Sequence, residues 1–517
     1  MNHIQKKMKN FYTILSITFL IMSCSKNDAI NEIMEEEEEV VNLPPNNFKI
    51  NISNLTSDNA TINWTDAIDP ENSAVTYNIY LNQALVAENI VELSYQFIDL
   101  EELTEYSGRI IAKDNNNNET VVTFSFQTKK YYLKFLKEYY YEDSINRSVG
   151  IPTDMIKTID GGYLVIGIST DDDGASNQPF ALKIDSKGNE VWKYFYGYDI
   201  NGLFPFYKAS QLNDGGFIIT SSHFIMKIDS LGNEIWYTIN DSYVNQDYDS
   251  LVTYGEMQSA KEDSQGNIFV IGWRSSPEFG NEIAHFGVLT KLDSNGQIKW
   301  EKQFPNSYRG SFDDLTIDTN DNIIILGTIE TSGVTQEEIN QKGSAAEEID
   351  ACVLKTDNNG EIIWEKIIYA PGYAFSSKII ATKDNNYVIV GYNSGAYDIE
   401  TGAIYKITSD GDEMWRNGII LSSVLSVSET YDGGFITIGH INDEFDILGI
   451  SKLSSNGTEQ WTKSYQQTHT HLRGKSIFET EDNGFIFCTS FGKNYYAGDD
   501  RAKILIYKTD PEGNYEY

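Results

Sequence analysis

A ten-residue motif recurs seven times in the last two thirds of the chain and constrains the fold more than any other feature. The first copy reads KIDSKGNEVW, with Lys at the first position, Asp at the third, Gly at the sixth and Trp at the tenth. The copies begin at Lys183, Lys227, Lys291, Lys355, Lys406, Lys452 and Lys508. Because successive copies start 44 to 64 residues apart, each repeat has room for about four strands.

Each repeat is predicted to contain two tight turns. In the motif, the Asp carboxylate can accept hydrogen bonds from backbone N–H groups two residues on, and the Gly supplies a positive φ. Thr408 and Ser454 replace the Asp in two copies. A second motif, DGGYLVIG in its first copy, places a turn before a nearly continuous apolar strand, which is typical of a strand buried on both faces. Its copies begin at Asp160, Asp214, Gln265, Asn320, Asp384, Asp432 and Asp482.

Seven repeats of about four strands predict an all-β, seven-bladed β-propeller over residues 130–517. This stretch resembles the quinoprotein-like and related tandem-repeat propellers of secreted bacterial proteins. A solenoid is the alternative, but it requires atypical capping repeats. The motif tryptophans are expected to pack between neighbouring sheets, and they are Trp192, Trp236, Trp300, Trp364, Trp415 and Trp461.

The seventh motif copy, KTDPEGNYEY, ends at Tyr517, the position where the other copies have Trp. Its outer strand is therefore missing at this end of the sequence. The segment LKEYYYEDS, from Leu136, reads like WKYFYGYD, from Trp192. We therefore expect residues 131–141 to pair as the outermost strand of the last blade, which closes the ring and covers an open sheet edge.

The N-terminal region predicts a secreted, lipid-anchored protein. Residues 1–23 have a basic start and a short apolar run, as in a signal peptide. The segment ending at Cys24 resembles a bacterial lipobox, which implies cleavage before Cys24 and its acylation. Residues 24–46 form an acidic linker with a glutamate run at 35–39. This run resembles the stretch that directs some lipoproteins to the outer face of the outer membrane, although a mere spacer is the alternative.

Residues 47–129 read as short alternating strands with polar turns, the pattern of a β-sandwich. Trp64 closes the second strand. Leu100, Leu103 and Tyr106 resemble the tyrosine-corner segment of fibronectin type III domains. The resemblance implies a fibronectin type III-like domain that serves as a spacer rather than as a ligand reader.

Charge and cysteine content exclude several function classes. The formal net charge is −37, so the chain repels nucleic acid, and we expect no nucleic-acid partner. Besides Cys24, the chain has Cys352 and Cys488, both in apolar strand segments. We expect buried free thiols there, rather than a disulfide framework or a metal site.

The two recurring turns are short and are expected on one face of the ring, so the length variation falls on the other face. Insertions gathered on one face are where repeat proteins usually bind. Aromatic side chains with Arg suit protein hot spots or sugar stacking, although packing within their own loops is the simpler explanation for most of them. The candidates, all placed in these loops, are Tyr198, Trp273, Arg274, Tyr308, Arg309, Tyr373, Tyr392, Tyr397, Arg473, Tyr495 and Tyr496.

No catalytic motif is evident, so no catalytic residue is assigned. His469 and His471 have no identifiable third partner for a metal, and no metal site or cofactor is expected. Ca²⁺ at residues 171–174 or 318–322 remains an alternative to exposed acidic turns. A quinoprotein dehydrogenase would need a cavity with basic ligands on the axis, where the inner strands supply only scattered Lys.

The functional hypothesis is a non-catalytic lipoprotein of the outer membrane that faces the cell exterior. Its long-loop face binds a partner, an envelope protein or membrane complex. Binding or degradation of a surface glycan is the alternative, since the abundant carboxylates leave a glycosidase pair open.

Overall fold

The computed structural model describes residues 41–139, 148–170, 177–196, 206–222, 224–239, 255–276, 284–304, 311–330, 349–368, 373–394, 400–441, 447–466, 471–492 and 503–516. All the secondary-structure elements assigned within these ranges are β-strands. Within them, no helix has the length and apolarity needed to cross a membrane. The chain divides into two compact units, Met1–Tyr131 and Tyr132–Tyr517.

The first unit is a sandwich of two antiparallel sheets. Its strands are β1 (Ile50–Ser53), β2 (Ala60–Trp64), β3 (Thr76–Leu81), β4 (Ala84–Ile90), β5 (Ser94–Phe97), β6 (Glu105–Lys113) and β7 (Glu119–Gln127). One sheet has the strand order β1-β2-β5 and the other β4-β3-β6-β7. Ile62 of one sheet packs with Tyr77 and Ile110 of the other in a shared core. The N–H of Glu101 donates to the Tyr106 hydroxyl at 2.8 Å, which ties the chain before β6 to that strand.

The described part of the second unit contains seven four-stranded antiparallel sheets, numbered here in chain order. The inner strands are β9 (Ser148–Lys157), β13 (Phe206–Gln211), β17 (Gly255–Glu262), β21 (Phe312–Ile317), β25 (Tyr373–Ala381), β29 (Ser423–Glu429) and β33 (His471–Glu479). The second strands are β10 (Tyr163–Thr170), β14 (Phe217–Ser221), β18 (Ile268–Ser276), β22 (Ile323–Glu330), β26 (Tyr387–Ser394), β30 (Phe435–His440) and β34 (Phe485–Gly492).

The remaining strands lie further out in each sheet. The third strands are β11 (Asn177–Ile184), β15 (Phe224–Ile228), β19 (Ala284–Leu292), β23 (Ile349–Thr356), β27 (Glu400–Ile407), β31 (Leu448–Leu453) and β35 (Lys503–Lys508). The outer strands of sheets one to six are β12 (Glu190–Phe195), β16 (Glu234–Ile239), β20 (Ile298–Gln303), β24 (Ile362–Ile368), β28 (Glu413–Gly418) and β32 (Glu459–Tyr465). The outer strand of sheet seven is β8 (Phe135–Tyr139).

The inner strands contact one another in a closed ring. The contacts run from β9 to β13, β17, β21, β25, β29 and β33 in turn, and β33 contacts β9 again. The apolar core lies between the sheets, so that Phe180 and Leu182 of sheet one pack with Ile486 and Ile504 of sheet seven. A ring of four-stranded sheets that pack face to face is a β-propeller.

The turn between third and outer strands has the geometry expected from its sequence. In the first copy, Asp185 Oδ1 accepts the N–H groups of Lys187 at 2.9 Å and Asn189 at 2.7 Å. The glycine of every copy has φ between 71° and 87°, where a side chain is strained. These glycines are Gly188, Gly232, Gly296, Gly360, Gly411, Gly457 and Gly513.

The motif tryptophans pack between sheets, as predicted. The Trp192 ring covers Gly232, the turn glycine of the next sheet, so closely that a Cβ there would lie 2.9 Å from the ring. Trp192 Nε1 also donates to the Ser230 carbonyl at 3.0 Å. The same contact recurs between Trp236 and Gly296, Trp300 and Gly360, Trp364 and Gly411, Trp415 and Gly457, and Trp461 and Gly513. The turn glycine is therefore needed for two reasons, its positive φ and the ring packed over it.

The predicted closure by an early strand is confirmed, with its register off by one residue. Strand β8 pairs antiparallel with β35, and Phe135 stands opposite Lys508 as Trp461 does opposite Lys452. The Phe135 ring lies over Gly188 of sheet one, so Phe135 rather than Leu136 occupies the tryptophan position. The Tyr139 hydroxyl donates to the Gly188 carbonyl. Tyr517 lies outside the described residues.

The motif lysine has a role that the sequence analysis did not assign. Lys183 is buried, and its ammonium lies 2.8 Å from a carboxylate oxygen of Asp160 in the turn between the first two strands. The pair ties that turn to the third strand. Equivalent pairs are Lys227–Asp214, Lys406–Asp384, Lys452–Asp432 and Lys508–Asp482. In sheet four the turn carboxylate is displaced by two residues, and Lys355 pairs with Asp318 at 2.9 Å.

These pairs predict acid-sensitive stability. Partial burial acts to raise the pKa of Asp160, Asp384 and Asp432, but hydrogen bonds from the lysine and a threonine hydroxyl outweigh it and lower each pKa to about 2. An unfolded Asp has a pKa of about 3.9. The stabilisation is therefore present above about pH 4 and is lost as the pH falls towards 2. Urea unfolding at pH 6, 4, 3 and 2 should show the free energy of unfolding falling with pH, and the fall should be smaller for Asp432→Asn. An equal fall in that variant would show that the Lys452–Asp432 pair does not contribute to the acid sensitivity.

Candidate functional site

Five of the residues predicted in loops lie in strands instead. Trp273 and Arg274 belong to β18, Tyr373 to β25, Tyr392 to β26 and Arg473 to β33. The remaining candidates lie outside the described residues, and they are Tyr198, Tyr308, Arg309, Tyr397, Tyr495 and Tyr496. The described residues therefore do not bring the predicted binding face together as one surface.

Trp273 and Arg274 show why the loop prediction was wrong. Strand β18 stays paired with β19 as far as Ser276 opposite Ala284, because the hairpin extends beyond the apolar stretch that marks it in the sequence. Both side chains are half-buried rather than exposed. Arg274 Nη2 lies 2.7 Å from Glu301 Oε2, so this guanidinium already has a carboxylate partner. A cavity of about 20 Å³ beside the two residues has room for about one water molecule.

Every inner strand contains a β-bulge at the corresponding level. In sheet three, Met257 pairs with Gly272 and Ser259 with Ile271, which leaves Gln258 without a partner in the ladder. A bulge re-aims the side chains around it and increases the local twist. The residues at the seven bulges are Thr153, Lys208, Gln258, Asp313, Ser377, Leu425 and Lys475.

Glycines on the second strands make room for the bulged inner strands. A Cβ on Gly272 would lie 1.8 Å from the Glu256 carbonyl oxygen, and one on Gly439 would lie 1.8 Å from that of Ser423. These glycines end the apolar strand of the second motif, as in DGGFITIG. The recurring Gly of that motif therefore permits a close backbone approach near the axis.

A belt of hydrogen bonds joins each inner strand to the next. Two carboxylates, Asp154 of sheet one and Asp314 of sheet four, each accept hydrogen bonds from the inner strands on both sides of their own. The seven links in ring order are Asp154 with the N–H of Ala209 (3.2 Å), Ser210 with the carbonyl of Ala260 (2.7 Å), Ser259 with Asp314 (3.1 Å), Asp314 with the N–H of Ile379 (3.1 Å), Lys378 with Ser426 (3.1 Å), Ser428 with the carbonyl of Ile477 (2.7 Å) and Ser476 with Asp154 (2.8 Å).

A cavity of about 290 Å³ lies where the inner strands converge, and all seven of them contribute to its wall. We call it the axial cavity. Five of the seven bulge residues line it. The charged residues of its wall are Lys208, Lys261, Lys378, Lys475, Asp154 and Asp314.

The electrostatics of the axial cavity centre on Asp314. Burial acts to raise the pKa of this carboxyl, but Lys208 at 2.8 Å, with Lys378 and Lys261 nearby, outweighs it and holds the pKa below the ordinary value. Burial lowers the pKa of Lys261. The adjacent Asp313 shows the opposite balance, because burial raises its pKa despite hydrogen bonds from Ser311 and Ser376.

The sequence did not predict this cavity as a candidate site. Only scattered lysines are evident on the inner strands, because residues such as Lys208 and Asp314 are far apart in sequence and meet only when the ring closes. The signal that was available is the lysine content of these strands in an acidic protein. Four of the seven inner strands carry a lysine that reaches the cavity.

The described residues include no cluster of His, Cys, Asp and Glu that could hold a metal ion. Residues 171–174 and His469 lie outside the described part, and the side chain of His471 is not described. The carboxylate of Asp318 accepts the N–H groups of Asn320 and Asn322 and pairs with Lys355, so it serves the turn. Cys352 and Cys488 are free and buried, as predicted, and burial raises the pKa of both thiols.

Comparisons with known proteins concern the fold alone. No protein-family model matches the chain, and no curated protein matches its sequence. One similar solved structure is a Bacteroides caccae protein of unknown function, 14% identical, with a TM-score of 0.37, covering 59% of this chain and 94% of that one. A second is the extracellular domain of a putative one-component system of B. thetaiotaomicron, 10% identical, with a TM-score of 0.41, covering 90% of this chain and 58% of that one.

A third similar structure is the β-propeller domain of the Trilobed protease of Pyrococcus furiosus. It is 10% identical, has a TM-score of 0.41 and covers 71% of this chain and 96% of that one. Two rhamnogalacturonan lyases, a neuraminidase-like protein and a peptidase are also similar, at 10 to 13% identity. These similarities carry no information on activity, and the fold assignment rests on the strand pairing and the closed ring.

Proposed function

We propose that the chain is a non-catalytic lipoprotein of the outer membrane, anchored through Cys24 and exposed on the cell surface. A fibronectin type III-like sandwich precedes a seven-bladed β-propeller. The propeller binds a protein partner in the envelope, such as a membrane complex, through the face opposite the short turns. A surface glycan is the alternative ligand.

The strand arrangement supports the architectural part of this proposal. The sandwich has three strands in one sheet and four in the other. The hydrogen bond from the Glu101 N–H to the Tyr106 hydroxyl is the kind of bond that a tyrosine corner makes. The ring has seven sheets among the described residues, and its last sheet is completed by an early strand.

The observation that carries the non-catalytic assignment is the use made of the axial carboxylates. Asp154 accepts the N–H groups of Met155 and Ala209 and the hydroxyl of Ser476. Asp314 is engaged with both neighbouring strands and with Lys208 in the same way. Both carboxylates hold the ring together, and the pKa of Asp314 lies below its ordinary value, whereas a general acid needs a raised pKa and a proton that reaches the substrate. A binding scaffold is therefore favoured over a polysaccharide-degrading enzyme.

The anchor and the partner are tested in one experiment. The wild-type chain should incorporate a fatty-acid label, fractionate with outer membranes and copurify, after solubilisation, with a stoichiometric envelope protein. The Cys24→Ser variant is the matched control, because it removes only the acylation site. It should lose the label and leave the membrane fraction.

Two results would count against the proposal. Equal membrane recovery of the Cys24→Ser variant would contradict the lipid anchor. Recovery of the wild-type chain as a free monomer, together with release of sugars from cell-surface polysaccharide, would favour the enzyme instead.

A further inference from the structure

The axial cavity is positively charged, although the chain as a whole carries a net charge of −37. Its wall contains four lysines, Lys208, Lys261, Lys378 and Lys475, against two carboxylates. A local excess of positive charge within an acidic protein concentrates anions at that position.

Neither carboxylate of the wall forms an ion pair with Lys261. Asp314 pairs with Lys208 at 2.8 Å, and Lys378 donates to a hydroxyl, that of Ser426. The hydrogen bonds found for Asp154 come from backbone N–H groups and Ser476. Among the residues that the structure describes, none forms a hydrogen bond or an ion pair with the ammonium of Lys261.

This arrangement costs stability in the unliganded protein. A half-buried ammonium without a hydrogen-bonding partner in the protein has lost part of its hydration without replacement. Nearby Lys378 and Lys208 add repulsion to the burial of Lys261, and both effects lower its pKa, while Asp314 and Asp154 oppose them. An anion in the cavity would supply the missing acceptor and remove the repulsion.

The positions of the lysines indicate the shape of that anion. Lys475 lies at the bulge of β33, whereas Lys261 lies three residues beyond the bulge residue Gln258 of β17. At about 3.3 Å per residue, the Cα atoms of these two lysines differ by about 10 Å in their position along the strand direction. A ligand with acidic groups at two points therefore fits better than a single small ion.

We propose that the axial cavity binds a small organic anion with two or more carboxylate or phosphate groups, for which Lys261 and Lys475 are the principal ligands. The volume of about 290 Å³ lies just below the range of typical ligand cavities, which is about 300–1,000 Å³, so the ligand is small. Lysine ammonium groups are compact point charges that suit both kinds of acidic group. This inference goes beyond the partner-binding function proposed above and does not depend on it.

Titration calorimetry of the full-length, detergent-solubilised protein tests the site, with citrate as the polycarboxylate probe and pyrophosphate as the phosphate probe. At least one of them should bind, more weakly as NaCl is raised, and acetate should bind far less well. Lys261→Met and Lys475→Met should each weaken binding at least tenfold, because they remove a charge and keep the aliphatic stem. Lys187→Met is the matched control, since Lys187 is exposed on an outer turn, and should bind as the wild type does.

Thermal unfolding keeps the test independent of folding defects. Without ligand, Lys261→Met should melt at or above the wild-type temperature, because it removes an unpaired ammonium. The stronger of the two probes should raise the melting temperature of the wild type but not that of the variant. Absence of citrate and pyrophosphate binding at millimolar concentration would overturn the proposal, as would equal binding by Lys261→Met and Lys187→Met. Either result would leave the copurification experiment unaffected.

Discussion

Deletion of residues 131–141 is expected to destabilise the ring by more than about 5 kcal/mol, whereas deletion of residues 47–128 should leave its unfolding transition nearly unchanged. The short deletion removes β8, the outer strand of sheet seven, and exposes the edge of β35. It also removes Phe135 and Tyr139, which join sheet seven to Gly188 of sheet one. The long deletion removes strands that belong to the other compact unit.

Calorimetric or urea-induced unfolding of the two deletion variants measures the difference. Phe135→Ala should account for up to about 3 kcal/mol of the loss, the lower end of the range for buried phenylalanines, because Phe135 is only partly buried. Tyr139→Phe is the milder comparison, because it keeps the ring and removes one hydrogen bond, worth about 1 kcal/mol. Equal effects of the short and long deletions would contradict the role of β8 in closing the ring.

The repeat predicted the turns well because each of them depends on local chemistry. The motif Asp and Gly act within a few residues of one another, and the positive φ of Gly188 follows from the sequence alone. The sequence also predicted that tryptophans pack between sheets, since a recurring large aromatic residue on an outer strand needs a partner surface. It did not predict that the partner of Trp192 is the next turn glycine, Gly232.

The register of β8 shows the limit of pattern matching. Leu136 was aligned with Trp192 by the run of aromatic residues that follows each of them, yet Phe135 holds that position. A strand with aromatic residues on both faces matches the repeat almost equally well when it is shifted by one residue. Pairing with Lys508 and packing against Gly188 decide between the two, and both depend on tertiary structure.

The axial cavity could not be predicted from the sequence for a related reason. Lys208 of sheet two reaches Asp314 of sheet four, so the pair skips a whole repeat. Bulges at the same level turn these side chains inwards, and a single sequence does not mark a bulge as it marks a turn. The loop prediction for Trp273 failed because strand length is set by pairing rather than by apolar content.

The substitution Asp314→Asn is expected to lower the free energy of unfolding by about 3 kcal/mol, because it leaves the Lys208 ammonium without its carboxylate in a largely buried position. The asparagine carbonyl still accepts the N–H of Ile379, so the loss reports on charge rather than on the backbone link. Glu413→Gln is the matched control. It breaks the exposed pair with Arg416 and should cost less than about 1 kcal/mol.

Adding Lys208→Met to Asp314→Asn should restore part of the lost stability, because the second change removes the unpaired ammonium. Urea unfolding of the two single variants and the double variant measures the coupling energy directly. If Asp314→Asn cost no more than Glu413→Gln, Asp314 would not be a link of the ring. The assignment of the axial carboxylates to structure rather than to catalysis would then lose its basis.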